Sequence, residues 1–204
     1  IHIKKNTIKV TLPFAANSLH DELIKHIKLS TEDTKLNISI ETQVASVLTK
    51  IAKIPNVKNV IAVASGKGGV GKSTTSVNLA FALMAEGARV GLLDADIYGP
   101  SIPIMLGNPT AKPSSKDNKK VEPLFAHGVV ASSIGYFVPP EDATVWRGPM
   151  ASKALHQLIN ETAWPELDYL IVDMPPGTGD IQLTMAQQVP LSGAVVVTTP
   201  QDLA

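Results

Sequence analysis

The sequence predicts an α/β fold, in which a mostly parallel sheet flanked by helices is preceded by a small α+β module. From Val60 onward, short and nearly continuous apolar strands alternate with helical patterns, which is typical of a parallel sheet covered on both faces. Before Pro55 the pattern differs, because strands with alternating apolar residues enclose an amphipathic helix. We therefore expect the module at residues 1–55 and the larger domain at residues 56–204.

The composition is that of an ordinary globular protein. Hydrophobic residues make up 44% of the 204 residues and charged residues 18%, which excludes a disordered chain and a membrane-embedded one. The 18 basic side chains equal the 18 acidic ones, so no nucleic acid and no membrane is expected as a partner. Because no apolar run spans a bilayer and no leader-like segment opens the chain, we expect a cytoplasmic protein. The chain begins at Ile1 and stops at Ala204 after an apolar run, so we expect both ends to be trimmed.

The module is predicted to contain two strands and two helices. Alternating apolar residues mark the strands, with Ile8, Val10 and Leu12 in the first and Leu36, Ile38 and Ile40 in the second. Between them, one helical face carries Leu19, Leu23, Ile24 and Ile27. Similar spacing before Pro55 predicts a second amphipathic helix, with Val44, Val47, Leu48 and Ile51 on its apolar face.

The larger domain is predicted to repeat a strand, a turn and a helix. Apolar runs predict strands at residues 60–64, 89–93, 170–172 and 194–197, and helices through residue 84 and around residues 181–188. Residues 121–136 predict an inserted pair of strands before a helix at 150–160. Ligands of such sheets bind at the carboxyl ends of the strands, which is where the polar motifs of this sequence fall.

A glycine-rich loop follows the first of these strands and precedes a helix. The spacing of Gly66, Gly71, Lys72 and Ser73 is that of a P-loop, and the strand–loop–helix context favours this interpretation over a glycine-rich turn with a chance lysine. Glycines let backbone N–H groups point inward, where they meet a polyanion together with the positive end of the helix. The residues expected to bind the nucleotide are Gly66, Lys67, Gly68, Gly69, Val70, Gly71, Lys72, Ser73 and Thr74.

Two of these side chains carry specific chemistry. Lys72 is expected to place a positive charge between the β- and γ-phosphates and to act in catalysis. Ser73 offers a hydroxyl to Mg²⁺, an ion that prefers oxygen ligands and binds largely through the nucleotide. A nucleoside triphosphate and Mg²⁺ are therefore the predicted substrate and cofactor, and the family resemblance described below implies that the nucleotide is ATP.

Carboxylates follow two further strands. Asp94 ends a strand beside the P-loop, where it is placed to hold a water of the Mg²⁺ shell. Asp96, two residues later, is placed to orient the attacking water. Taken alone, an Asp-x-Asp after a strand is equally often a turn or a helix cap. Asp173 fits a Walker B carboxylate, with a helix N-cap as the alternative. Gly177, in the Pro-Pro-Gly-Thr-Gly-Asp segment, is expected to bring a backbone N–H close to the γ-phosphate.

The whole loop, GKGGVGKST, resembles the deviant Walker A motif of the MinD/ParA-like ATPases. In that group the early lysine reaches the nucleotide of the partner subunit, so the resemblance implies a homodimer in which Lys67 acts in trans; the alternative is a solvated loop lysine. The resemblance also implies that Asp96 is the hydrolytic residue and that Asp94 supports the metal, with Asp94 and Asp173 both acting through water.

Five segments resemble the Mrp/ApbC-type ATPases, which are regarded as iron-sulfur cluster carriers: GKGGVGKSTTSVNLA, DADIYGPSIP, WRGPM, DYLIVDMPPGTGDIQLT and TTPQDLA. The resemblance implies a slow, dimer-dependent ATPase whose partners are cluster donors and acceptor apoproteins. Family members carry a Cys-x-x-Cys pair after the point where this chain stops, and its thiolates are thought to bridge a [4Fe-4S] cluster between subunits. This chain has no cysteine, so no cluster ligand is named in it.

Arg147 is a candidate contact to phosphate or to the dimer interface, with a structural ion pair as the alternative.

Three hypotheses follow. The leading one is a homodimeric ATPase whose nucleotide cycle gates cluster delivery. The second is a MinD/ParA-type positioning ATPase that acts on membrane or DNA, which the shared Lys67 loop suggests. The third is a nucleotide-dependent interaction module with negligible turnover.

Overall fold

The computed structural model describes residues 2–4, 6–31, 35–115, 120–137 and 148–201. The N-terminal part forms a three-stranded sheet with one helix, made of β1 (His2–Lys4), β2 (Thr7–Leu12), α1 (His20–Thr31) and β3 (Asn37–Thr42). β1 pairs antiparallel with β2, and β2 pairs parallel with β3. A parallel pair needs a crossover connection, which α1 supplies. Both predicted strands and the helix between them are therefore present.

The second predicted helix of this part is wrong. Residues 43–54 form neither helix nor strand. Asn59 explains the difference, because its side chain accepts a hydrogen bond from the Val47 N–H at 3.0 Å and donates one to the Ala45 carbonyl at 2.8 Å. These contacts use backbone groups that a helix would pair internally. Leu48, expected on the apolar face, is 92% exposed.

The larger sheet has six strands, in the spatial order β6-β7-β5-β8-β4-β9. In chain order the strands are β4 (Val57–Ser65), β5 (Val90–Asp94), β6 (Leu124–Ala126), β7 (Val129–Ser133), β8 (Leu167–Asp173) and β9 (Leu191–Val197). The helices are α2 (Lys72–Ala85), α3 (Ile102–Met105), α4 (Gly148–Glu161) and α5 (Asp180–Gln188). Among the described strands of this sheet, only β6 pairs antiparallel, and it forms the predicted inserted pair with β7. The predicted α/β fold with a mostly parallel sheet is therefore confirmed.

Helices cover both faces of this sheet. One face packs against α4 and α5 through Leu155, Leu158 and Met185. The other packs against α2 and α3, where Val77 and Ile102 are among the buried contacts. Strands β5 and β8, between these layers, are almost wholly buried, which explains their continuous apolar sequences.

Asp168, at the start of β8, anchors the sheet at the end opposite the glycine-rich loop. Lys58 Nζ lies 2.7 Å from its Oδ1, and the Arg89 guanidinium donates to both carboxylate oxygens at 3.1 and 3.2 Å. Burial alone raises the pKa of Asp168, but the hydrogen bonds from Arg89 and Lys58 outweigh burial and lower it to about 2. This charge cluster ties the beginnings of three strands together.

We propose residues 1–55 and 56–204 as module and domain. No helix in the described part of the chain is both long and apolar enough to cross a membrane.

Candidate functional site

Strands β4, β8 and β5 are neighbours, so their carboxyl ends meet at one edge of the sheet. Asp94 and Asp173, the last residues of β5 and β8, are directly paired in the sheet register. The glycine-rich loop begins after Ser65, the last residue of β4, and leads into α2 at Lys72. The topology therefore brings the loop and both strand-end carboxylates together.

The loop has the backbone conformation that its glycines permit. Gly69 and Gly71 have φ of 79° and 88°, in the left-handed region that other residues rarely adopt. A Cβ placed on Gly66, Gly69 or Gly71 would contact nothing within 4 Å, so these glycines border open space. The loop is thus shaped as a cradle with room for a ligand above it.

Lys72 is the cation at the centre of the site. It is 6% exposed, and its Nζ lies 2.9 Å from Asp173 Oδ1 and 3.7 Å from Asp96 Oδ2. A buried lysine needs such partners, because an unpaired buried charge is strongly unfavourable. Lys72 is therefore held between two of the three predicted carboxylates.

Asp173 is fully buried and bound to α2 through two hydroxyls. Ser73 Oγ donates to Asp173 Oδ2 at 2.5 Å, and Ser76 Oγ donates to Oδ1 at 2.7 Å. The alternative reading of Asp173 as a helix cap does not hold, since the next helix begins at Asp180. Sequence reasoning missed Ser76. Its spacing is the signal, because a residue four positions after Lys72 lies on the same helix face.

Asp94 is fully buried, and both its oxygens are bound within the chain. Oδ1 accepts a hydrogen bond from the Asp96 N–H, and Oδ2 accepts from the Ile102 N–H and from Ser133 Oγ, each at 3.1 Å. Burial, with the nearby charge of Asp173, raises the pKa of Asp94 to about 7, although these three hydrogen bonds oppose the shift. Asp94 thus lies beneath residues 95–102, and its two oxygens bind backbone N–H groups near both ends of this segment.

Asp96 faces the cavity instead. It is 8% exposed, and its Oδ1 is buried with no hydrogen-bond partner in the described part of the chain. Burial raises the pKa of Asp96, while the charge of Lys72 and hydrogen bonds from the Gly99 and Tyr98 N–H groups to the carboxylate act in the opposite direction. A carboxylate oxygen left without a donor inside a protein is placed to bind a ligand or water.

Lys72, Ser73 and Asp96 line a cavity of roughly 260 Å³. Its walls are the glycine-rich loop, Pro176 and the segment after β5; the lining residues are Ser65, Gly68, Gly69, Gly71, Lys72, Ser73, Thr74, Asp96, Ser101, Met105 and Pro176. Two other cavities, one beside α4 and one beside β9, are lined mainly by apolar groups. A phosphate-binding site needs a cation and polar groups, so the cavity at Lys72 is the candidate functional site.

Lys67 and Gly177 are next to the cavity-lining residues in sequence but do not themselves line the cavity. Lys67 is half-buried, and its carbonyl accepts a hydrogen bond from Ser65 Oγ at 2.9 Å. The Gly177 N–H, predicted to approach a phosphate, donates to the Ser65 carbonyl at 2.9 Å, and its φ of 101° requires glycine. Arg147 lies outside the described residues.

The oxygen atoms of the site fit Mg²⁺. Ser73 Oγ and Asp173 Oδ2 converge below the cradle, and Mg²⁺ typically takes one or two protein oxygens together with phosphates and water. Among the described residues, no group of three or more His, Cys, Asp or Glu side chains is placed to hold a metal by itself.

Comparison with known proteins places this geometry in context. The ParA family described as "NUBPL iron-transfer P-loop NTPase" matches residues 56–204. Proteins named iron-sulfur cluster carrier protein from Haemophilus influenzae and Escherichia coli K12 are 57% and 54% identical over 97% of the chain, which covers 55% of each relative. The chain thus spans about half the length of these curated relatives. A solved nucleotide-binding protein in complex with ADP, from Archaeoglobus fulgidus, is 39% identical with a TM-score of 0.64, covering 74% of this chain and 58% of that one.

Proposed function

Since the chain belongs to the NUBPL iron-transfer P-loop NTPase family, we propose that the full protein hydrolyses ATP to gate the delivery of iron-sulfur clusters to acceptor apoproteins. The cluster is the cargo. No cysteine is present among these 204 residues, so the proposal assigns this chain the nucleotide part of the cycle.

One observation supports the proposed binding and hydrolysis of the nucleotide. Asp96 and Asp173, which lie far from the loop in the sequence, meet Lys72 and Ser73 within hydrogen-bond or ion-pair distance at one end of the sheet. Phosphoryl transfer requires mainly positioning and charge stabilisation, and these groups offer a cation, a metal-binding hydroxyl and two carboxylates. The relatives that are named iron-sulfur cluster carrier protein support the proposal that the cargo is an iron-sulfur cluster.

Each side chain then has a defined task. The loop N–H groups and Lys72 bind the β- and γ-phosphates. To do so, Lys72 leaves its ion pair with Asp173 and pairs with the phosphates instead. Ser73 would bind Mg²⁺, and Asp173 would hold a water of its shell. When bound, Mg²⁺ supplies charge stabilisation at the phosphate oxygens. Asp96 orients the attacking water through its unpaired Oδ1.

The proposed cycle depends on a homodimer. Lys67 crosses to the nucleotide of the partner subunit, so turnover is slow until two nucleotide-loaded subunits meet. Gly177 lies directly beside the loop, because its N–H binds the Ser65 carbonyl. A γ-phosphate that draws this N–H away would reshape the 175–180 segment, which links hydrolysis to cargo release. Donors and acceptors of clusters are the proposed partners in the cytoplasm.

Anaerobic cluster transfer by the full-length protein tests the function. We expect Mg-ATP to change the rate of transfer to an apoprotein acceptor for the unsubstituted protein and for Lys112→Ala, which removes an exposed lysine outside the cavity. Lys72→Ala should abolish the nucleotide effect. Failure to bind and transfer a cluster would refute the carrier role, and ATP-dependent binding to liposomes or DNA would favour a positioning ATPase.

A further inference from the structure

Ser101 occupies a helix-cap position without capping the helix. It immediately precedes α3, yet its side chain makes no cap hydrogen bond. Its Oγ is buried and has no hydrogen-bond partner among the residues that the structure describes. A serine at this position normally binds a free backbone N–H, and a buried hydroxyl without a partner is unfavourable. The described part of the chain therefore gives this hydroxyl no structural role.

Ser101 and Asp96 lie at one cavity because Asp94 closes the segment between them. Asp94 accepts the N–H groups of Asp96 and Ile102, so both ends of the segment are bound to one buried carboxylate. Ser133 Oγ fixes that carboxylate from β7. Ser101 and Asp96 both line the cavity that contains Lys72, and each has one buried side-chain oxygen without a hydrogen-bond partner among the described residues. Two lining residues that each hold such an atom indicate a site for a shared polar ligand.

We propose that Ser101 is a further catalytic residue, which holds the attacking water together with Asp96. The inference rests on the proposed ATP hydrolysis. The water donates one hydrogen bond to Asp96 Oδ1 and the other to Ser101 Oγ, which leaves a lone pair directed at the γ-phosphorus. The water oxygen bonds to that phosphorus while the bond to the bridging oxygen breaks, and ADP leaves with the electron pair. One water proton passes to Asp96 and then to the released phosphate, which retains the other.

The test compares Ser101→Ala and Ser101→Thr with the unsubstituted full-length protein. Ser101→Ala should lower the kcat for ATP hydrolysis about 10- to 100-fold and leave the ATP dissociation constant within about threefold, because the hydroxyl contacts the water rather than the phosphates. Ser101→Thr keeps a hydroxyl and should retain most of the activity. The midpoint of thermal unfolding without nucleotide should not fall in Ser101→Ala, since this hydroxyl makes no hydrogen bond to any residue that the structure describes.

Ser132→Ala is the matched control. Ser132 is also buried, but its Oγ pairs with Thr162 Oγ1 at 3.2 Å and lies outside the cavity lining. This variant should lower the unfolding midpoint and leave kcat unchanged. Hydrolysis by Ser101→Ala at the unsubstituted rate, or a loss of kcat matched by an equal loss of ATP affinity, would overturn the role of Ser101 and leave the proposed ATP hydrolysis intact. An unsubstituted protein that binds ATP without hydrolysing it would overturn the proposed function as well.

Discussion

Replacing Lys72 by alanine should destabilise the protein even without nucleotide. The side chain is 7% exposed and pairs at 2.9 Å with Asp173, whose side chain is 0% exposed. Asp96 Oδ2 lies 3.7 Å from the same ammonium. Removing one member of a buried ion pair costs about 3–5 kcal/mol, because the remaining charge stays buried without compensation. For a domain of this size that corresponds to a fall of about 6–20 °C in the unfolding midpoint.

The assay is equilibrium unfolding in denaturant at several pH values. Since the charge of Lys72 opposes the burial that raises the pKa of Asp96, that pKa should rise further in Lys72→Ala, and the loss of stability should be smaller at pH 5 than at pH 8. Lys112→Ala should change the free energy of unfolding by less than about 0.5 kcal/mol.

A double-mutant cycle with Asp173→Asn isolates the pair. We expect a coupling energy of about 1–3 kcal/mol, so the double variant should lose less stability than the two single losses combined. Unchanged stability in Lys72→Ala, or a coupling energy near zero, would refute the view that these two charges compensate each other.

Three further predictions concern single side chains. Lys67→Ala should leave ATP affinity unchanged and abolish turnover, measured by binding and phosphate release; an equal loss of both would contradict action in trans. Asp96→Asn should bind ATP and dimerise without releasing phosphate. The pKa of Asp168, about 2 when folded, lies below the unfolded value near 4, so its stabilisation of about 2 kcal/mol is present above pH 4 and lost as the pH falls toward 2. Asp168→Asn should therefore differ from the unsubstituted protein in unfolding free energy at pH 6 but little at pH 2.

The sequence predicted the parts of the fold that depend on local patterns. Continuous apolar runs indicated β5 and β8, because buried parallel strands have no polar face. The failed helix at residues 44–51 shows the limit of periodicity. There the side chain of Asn59, beyond the segment in sequence, takes the backbone groups that the helix would have used.

At the candidate site, the motifs predicted which residues meet but not how each is oriented. Asp94 and Asp96 read alike in sequence, as two acids after one strand. Only the tertiary structure distinguishes them, since Asp94 is enclosed by Ile102 and Ser133 while Asp96 faces the cavity. Ser101 could not be identified from the sequence for the same reason, because only the tertiary structure places it at the cavity with Asp96.

The most direct test of the account is a structure of the full-length protein with Mg²⁺ and a non-hydrolysable ATP analogue. We expect Lys72 Nζ to leave Asp173 for the β- and γ-phosphates, Ser73 Oγ to bind Mg²⁺, and a water to bridge Asp96 and Ser101 near the γ-phosphorus. A nucleotide bound away from the loop, or a Lys72 still paired with Asp173 beside bound phosphates, would contradict it.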